Sequence, residues 1–155
     1  MRVWRICKAE HAARAFTGEG ALLYAGRWHR KGTPVVYASE SRALAALEQL
    51  VNLHRNQLPP RLVCFGVDIP DALRVTEVRI ADLPARWHRH PAPVALQEIG
   101  SRWAEQGRSA CMKLPSAVIR GEFNFLLNPR HADFSRLEIG RHAPFEFDPR
   151  LFVRT

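Results

Sequence analysis

Arg27, Tyr37 and Glu48 fall within one stretch, Gly18 to Leu53, GEGALLYAGRWHRKGTPVVYASESRALAALEQLVNL, and its pattern puts them on three successive elements. Arg27 follows an apolar run, Ala21 to Ala25, that stops at Gly26, so a short buried strand is predicted to end there and leave a cation facing a cleft. Gly32, Thr33 and Pro34 make a turn. Val35, Val36 and Tyr37 form a second strand, because β-branched and aromatic residues suit a pleated surface, and Tyr37 ends it. Ser39 or Ser41 then caps a helix running to about Leu53. Leu44, Leu47, Glu48 and Val51 follow the i, i+3, i+4, i+7 spacing, which puts a carboxylate on an aliphatic face. Desolvating an ionised carboxylate is costly unless it is paired. Glu48 is therefore either a functional group or half of a buried salt bridge, with Arg27 as the natural partner.

The elements that must position these groups belong to one domain over residues 1–155. That length gives a real core and is too short for two ordinary domains. Hydrophobic residues make up 46% and charged residues 25%, a globular balance, and no apolar run approaches the ~20 residues of a membrane helix. The N-terminus, MRVWRICKAEH, lacks an apolar signal region, so the expected compartment is the cytoplasm. Cys7, Cys64 and Cys111 are widely spaced among apolar neighbours and suggest neither a disulfide framework nor zinc. His88 and His90 have no ligand-spaced partner, so no metal site is expected.

A net charge of +8 makes nucleic acid a candidate ligand. The basic residues are dispersed, however, and no nucleic-acid-binding motif is present. Only Arg27, His29, Arg30 and Lys31 cluster. Twenty arginines against three lysines favour bidentate contact with phosphate or carboxylate, although a GC-rich genome gives the same bias.

Val3 to Ile6 reads as a first strand with Val3 and Arg5 on one face, and Lys8 to Phe16 as a short helix or turn. Leu58, Pro59 and Pro60 end any helical path. Leu62 to Ile69 is apolar on both faces, as for a central strand, and Leu73 to Ile80 reads as an edge strand with one register change. Asp82 to Pro93 is a proline-rich surface loop. Val94 to Gln106 is an amphipathic helix closed by Gly107. Ala110 to Leu114 is apolar, and Ser116 sits at the start of a predicted strand, Ala117 to Ile119. In Gly121 to Pro129, Asn124 points away from Phe123 and Phe125. The tail, Leu137 to Val153, adds a last strand pair. Short strands without regular βαβ alternation predict α+β with a mixed, largely antiparallel sheet.

WRI at Trp4–Ile6, FTGEGALLYAGRWHRKGTPVVYASESRALAALEQL, LPSAVIRGEFNFLLNP and the following RHADF together resemble the RES domain, the toxin half of a bacterial toxin–antitoxin pair. The resemblance covers nearly the whole chain. It carries the family's arginine onto Arg27, its tyrosine onto Tyr37, its glutamate onto Glu48 and its serine onto Ser116, with Asn124 in the same late motif. Two departures, His29 where the family often has asparagine and Ala132 where it has proline, bear on substrate details.

That resemblance implies an ADP-ribosyltransferase-like fold and consumption of NAD, as substrate and not as cofactor, by phosphorolysis or hydrolysis of the nicotinamide–ribose bond. Arg27 would bind the pyrophosphate, Tyr37 would stack on nicotinamide, Glu48 would stabilise the positive charge built on the ribose, and Ser116 would hold a phosphate or the nicotinamide end. Asn124 would join the binding group. Inorganic phosphate or water would be the acceptor, with His29, Arg30 and Lys31 gathering phosphate. The implied partner is a helix-turn-helix antitoxin over the cleft. ADP-ribosyl transfer to a macromolecule uses the same residues, a basic nucleic-acid-binding module is the rival from another class, and self-association into a homo-oligomer stays open.

Overall fold

The computed structural model describes residues 1–53 and 60–152. Strand β1, Arg2–Lys8, alternates as its sequence requires, burying Val3 on one face and Ile6 on the other. It pairs antiparallel with β2, Val36–Ser39, and along its whole length with β3, Leu62–Asp68. The other strands are β4, Val75–Glu77; β5, Cys111–Pro115; β6, Phe123–Leu127; β7, Glu138–Ile139; and β8, Ala143–Phe145. Their order is β4-β5-β6-β2-β1-β3-β7, with β8 also on β3. Among the described residues only β4 and β5 run parallel. This is the expected α+β architecture with a mixed, largely antiparallel sheet.

The two faces of the sheet have different fates. Val3, Val36, Ala38, Val67, Phe125 and Leu127 make one core. On the opposite face Met112, Leu114 and Leu126 meet Trp28, Trp87, Leu96 and Trp103. Leu96 and Trp103 come from α3, Ala95–Gln106, where their spacing builds the apolar stripe and Gly107, at φ 56°, ends the helix. Fully burying a side chain such as Leu126 contributes roughly 1.5–3 kcal/mol. Helix α2, Arg42–Leu50, packs Ala45 on Ile6 and Cys64. Trp4 pairs with Ser39, so the Trp4 and Ile6 face is also the Ser39 and Tyr37 face, and α2 and α3 lie on the same side of the sheet. Cys7, Cys64 and Cys111 are buried free thiols, and burial pushes Cys111 up to about 12.

Four expectations are corrected. The run Ala21 to Ala25 is not a strand: Glu19–Leu23 forms a short helix, α1, since alanine and leucine are good helix formers and Gly18, at φ 75°, turns the chain into it. Ala117 to Ile119 is not a strand either, because the Ser116 hydroxyl takes the Val118 and Ile119 N–H groups, each at 3.1 Å, that a ladder would need. The tail strands β7 and β8 pair with β3 and not with each other. The Asp82 to Pro93 loop is not wholly superficial, since Trp87 is only 7% exposed.

Elsewhere the elements hold with trimmed ends. Tyr37 lies inside β2, which continues to Ser39. Leu73 to Ile80 supplies an edge strand of only three residues. Ser41, not Ser39, caps α2, accepting the Leu44 N–H at 3.0 Å. Lys8 to Phe16 contains a 3-10 turn, Ala9–Arg14. The expected break at Leu58 and Pro59 lies outside the described residues.

Candidate active site

Glu48 lies on the last full turn of α2, where the helix crosses the Ser39 face of the sheet. Its aliphatic face is less complete than its spacing implies: Leu44 is fully buried, but Val51 is 60% exposed. The carboxylate is held by hydrogen bonds. The Asn124 side chain donates Nδ2–H to Glu48 Oε1 at 2.6 Å, and Ser116 Oγ donates to the same oxygen at 3.0 Å. Ser39 Oγ donates to Asn124 Oδ1 at 2.7 Å, which fixes the amide with its N–H₂ towards Glu48. Ser39 and Asn124 sit directly opposite each other on β2 and β6, so strand register builds this clamp. Both donors use Oε1. Among the described residues Oε2 receives no hydrogen bond, leaving one oxygen for a ligand.

Ser116 has no capacity to spare. Its oxygen accepts two backbone N–H groups and its proton goes to Glu48, which exhausts a hydroxyl's one donor and two acceptor sites. Its geometry therefore supports the carboxylate, in contrast to the expected grip on a phosphate or on nicotinamide. Asn124 keeps one amide proton and one Oδ1 lone pair for a ligand.

Arg27 stands in the loop after α1. Its Nη1 donates to the Trp87 carbonyl at 2.8 Å and to the Arg89 carbonyl at 3.0 Å. Burial lowers its pKa, and the nearby Glu48 carboxylate, followed by Tyr37, opposes that shift. Among the described residues Arg27 and Glu48 form no ion pair, so the fold does not adopt the salt-bridge alternative. The two charges are near enough to act on one another without pairing.

Tyr37 is oriented by a second network. The His29 Nε2–H donates to the Tyr24 carbonyl at 3.0 Å, which makes Nδ1 the acceptor for the Tyr37 hydroxyl at 2.8 Å. The Trp28 N–H donates to the same hydroxyl at 3.3 Å. Burial raises the Tyr37 pKa well above the ordinary tyrosine range, with the Trp28 hydrogen bond and Arg27 opposing, so the phenol stays protonated. Burial likewise lowers the His29 pKa, the Tyr24 hydrogen bond opposing it.

Helix α3 holds the Arg27 loop from below. Ser101 Oγ accepts the Arg30 N–H at 2.9 Å and meets the Thr33 hydroxyl at 3.0 Å, and Gln97 donates to the Gly26 carbonyl at 3.2 Å. Arg30 pairs with Glu98 and Glu105, at 2.9 and 2.8 Å. The basic cluster read from sequence is thereby dispersed: His29 is buried against Tyr37 and Arg30 is neutralised on α3, so neither gathers phosphate. Arg2, Arg14, Arg79, Arg136 and Arg150 also pair with carboxylates, so these cations are locally neutralised.

Sequence reasoning thus placed Arg27, Tyr37, Glu48, Ser116 and Asn124, and the fold brings all five to one side of the sheet. It missed Ser39, the tuning of Tyr37 by His29, and the Trp87–Arg89 carbonyls that hold Arg27. The first had a signal, since Ser39 and Asn124 both alternate onto the helix-covered face. The carbonyls had none.

A model of the RES domain family matches residues 2–148. The chain is 36% identical over 152 residues to "Toxin Res" of Yersinia enterocolitica, covering 97% of this chain and 99% of that protein. It is 35% identical over 152 residues to the "Prs ADP-ribosylating toxin" of Sphingobium sp., covering 96% and 94%. In fold it matches a chain of the M. tuberculosis MbcT–MbcA toxin–antitoxin complex, with a TM-score of 0.75 over 97% of this chain and 86% of that chain at 17% identity. The chain belongs to the RES domain family.

Proposed function

We propose that this protein is the toxin of a toxin–antitoxin pair and that it consumes NAD by breaking the bond between nicotinamide and ribose, with inorganic phosphate or water as acceptor. The observation that carries this reading is the clamped Glu48, whose Oε1 holds two donors and whose Oε2 is left for a ligand, with the Arg27 charge near enough to act on it. In the reaction the bonding electron pair goes to the nicotinamide nitrogen and neutralises its positive charge. The ribose carbon left behind develops a positive charge and takes an oxygen from phosphate or water, the proton of an attacking water passing to solvent.

A carboxylate fixed before the reaction stabilises that developing charge without reorganising. Arg27 supplies the rest of its guanidinium to the substrate's phosphates. Tyr37, held by His29 and the Trp28 N–H, offers a ring wall to the flat nicotinamide. Incubation with NAD, with and without inorganic phosphate, and identification of products by mass tests this. Nicotinamide with phosphorylated ADP-ribose marks phosphorolysis, plain ADP-ribose marks hydrolysis, and intact NAD overturns the proposal.

A second acceptor is favoured by one specific finding, the ADP-ribosylating relative at 35% identity. There the acceptor would be a nucleophile on a macromolecule, which would gain the mass of ADP-ribose. The partner expected over the cleft is a helix-turn-helix antitoxin. The toxin–antitoxin neighbour supports an antitoxin partner, and Leu23 and Tyr24, 55% and 73% exposed and just before Arg27 in the chain, offer apolar surface to one.

A further inference from the structure

Behind Ser116 lies a cavity of about 260 Å³, bounded by Ile80, Trp87, His88, Pro115, Ser116 and Arg120. Two of these residues tie it to the site. The Ser116 hydroxyl holds Glu48, and the Trp87 carbonyl holds Arg27. The cavity therefore adjoins the residues that hold Glu48 and Arg27 in place.

The lining has a definite chemistry. Indole, imidazole, proline and an isoleucine side chain give flat and apolar walls, which suit an aromatic base. The charged group is Arg120, and the lining contains no carboxylate. Among the described residues the Arg120 guanidinium makes no hydrogen bond or ion pair, unlike Arg2, Arg30 or Arg79, so it is available to an anion. The volume falls below the ~300–1,000 Å³ that drug-sized ligands fill, so it takes part of a dinucleotide and not all of it.

We propose that this cavity seats the adenosine end of the substrate, with Arg120 contacting the pyrophosphate. The inference rests on NAD being the substrate, and it adds a second anchor remote from the bond that breaks. Binding energy collected there would hold the nicotinamide ribose against Glu48.

The test uses ADP, which carries the adenosine and pyrophosphate without the reacting half. Titration calorimetry compares wild type, Arg120→Ala, Glu48→Gln and Ala85→Trp, which puts an indole on an exposed residue that also lines the cavity. Arg120→Ala is expected to weaken ADP by about 10-fold or more, the loss of one charge-assisted contact. Ala85→Trp should weaken it comparably, Glu48→Gln should leave it within about twofold, and Arg120→Ala should raise KM for NAD with little change in kcat. No ADP binding to wild type, or equal binding by all variants, overturns the proposal. So does a loss in Arg120→Ala confined to inorganic phosphate, which would make the cavity the acceptor's seat. ADP binding that depends on Arg120 in a protein that leaves NAD intact would support the cavity while refuting the proposed reaction.

Discussion

The Asn124 amide nitrogen lies 2.6 Å from Glu48 Oε1, joining a strand in the middle of the sheet to the helix that crosses it. Ser39 sets the direction of that amide. A hydrogen bond to a charged group is worth roughly 1.5–3 kcal/mol, so the bond fixes the carboxylate more firmly than α2 alone could.

Asn124→Ala is expected to lower kcat by about 10-fold or more, because Glu48 loses its shorter donor. Ser39→Ala should act in the same direction and more weakly, since it frees the amide to turn without removing it. Steady-state kinetics with circular dichroism as a folding check decides this. An unchanged kcat in Asn124→Ala would show that the clamp does not matter.

His29 provides a pH test. Its pKa is lowered in the fold, so the stability it contributes is complete above the unfolded value of about 6.5 and is lost as pH falls through the folded value. Protonation also places a proton on Nδ1 and ends the hydrogen bond from Tyr37. The kcat/KM profile should therefore fall on its acid side, and His29→Asn should flatten that limb. An identical limb in the variant would assign it to another group.

Gly100 allows α3 to approach the Arg27 loop. A Cβ there would overlap the Trp28 carbonyl oxygen and come within 2.8 Å of Leu126 Cδ1. Gly100→Ala should destabilise the protein by about 1–3 kcal/mol, the usual cost of overpacking. It should also displace Arg27, so thermal melting and KM for NAD should both move. Wild-type values of both would mean that the loop is free to shift.

Arg27→Lys replaces a fork with a point charge. A lysine cannot hold the Trp87 and Arg89 carbonyls in the same way and still present a planar face, so KM for NAD should rise by about 10-fold. Normal binding would make Arg27 a structural residue.

How much of this was legible depended on the kind of interaction. The β1 alternation and the α3 stripe with its Gly107 stop are local and read correctly, and the α2 cap was narrowed to Ser39 or Ser41, of which the fold uses Ser41. Glu48 was visible as a charge among aliphatic residues, and Asn124 as a polar residue on the face away from Phe123 and Phe125. Their meeting was not, because it depends on β6 pairing with β2 across 85 residues of sequence, as Ser39 with Asn124 shows. The Ala21 to Ala25 run misled because a short apolar segment fits a buried strand and a buried helix equally well. Ala117 to Ile119 misled because a serine hydroxyl captured the backbone donors. The Arg30 charge was correctly counted and wrongly aimed, since its two partners on α3 are 68 and 75 residues away.

The most direct test measures nicotinamide release from NAD by wild type and by Glu48→Gln under identical conditions. The substitution keeps the shape of the side chain and removes its charge. Wild type is predicted to release nicotinamide, and the folded variant to be slower by on the order of 100-fold or more. Equal rates from the two folded proteins would contradict the role assigned to the clamped carboxylate.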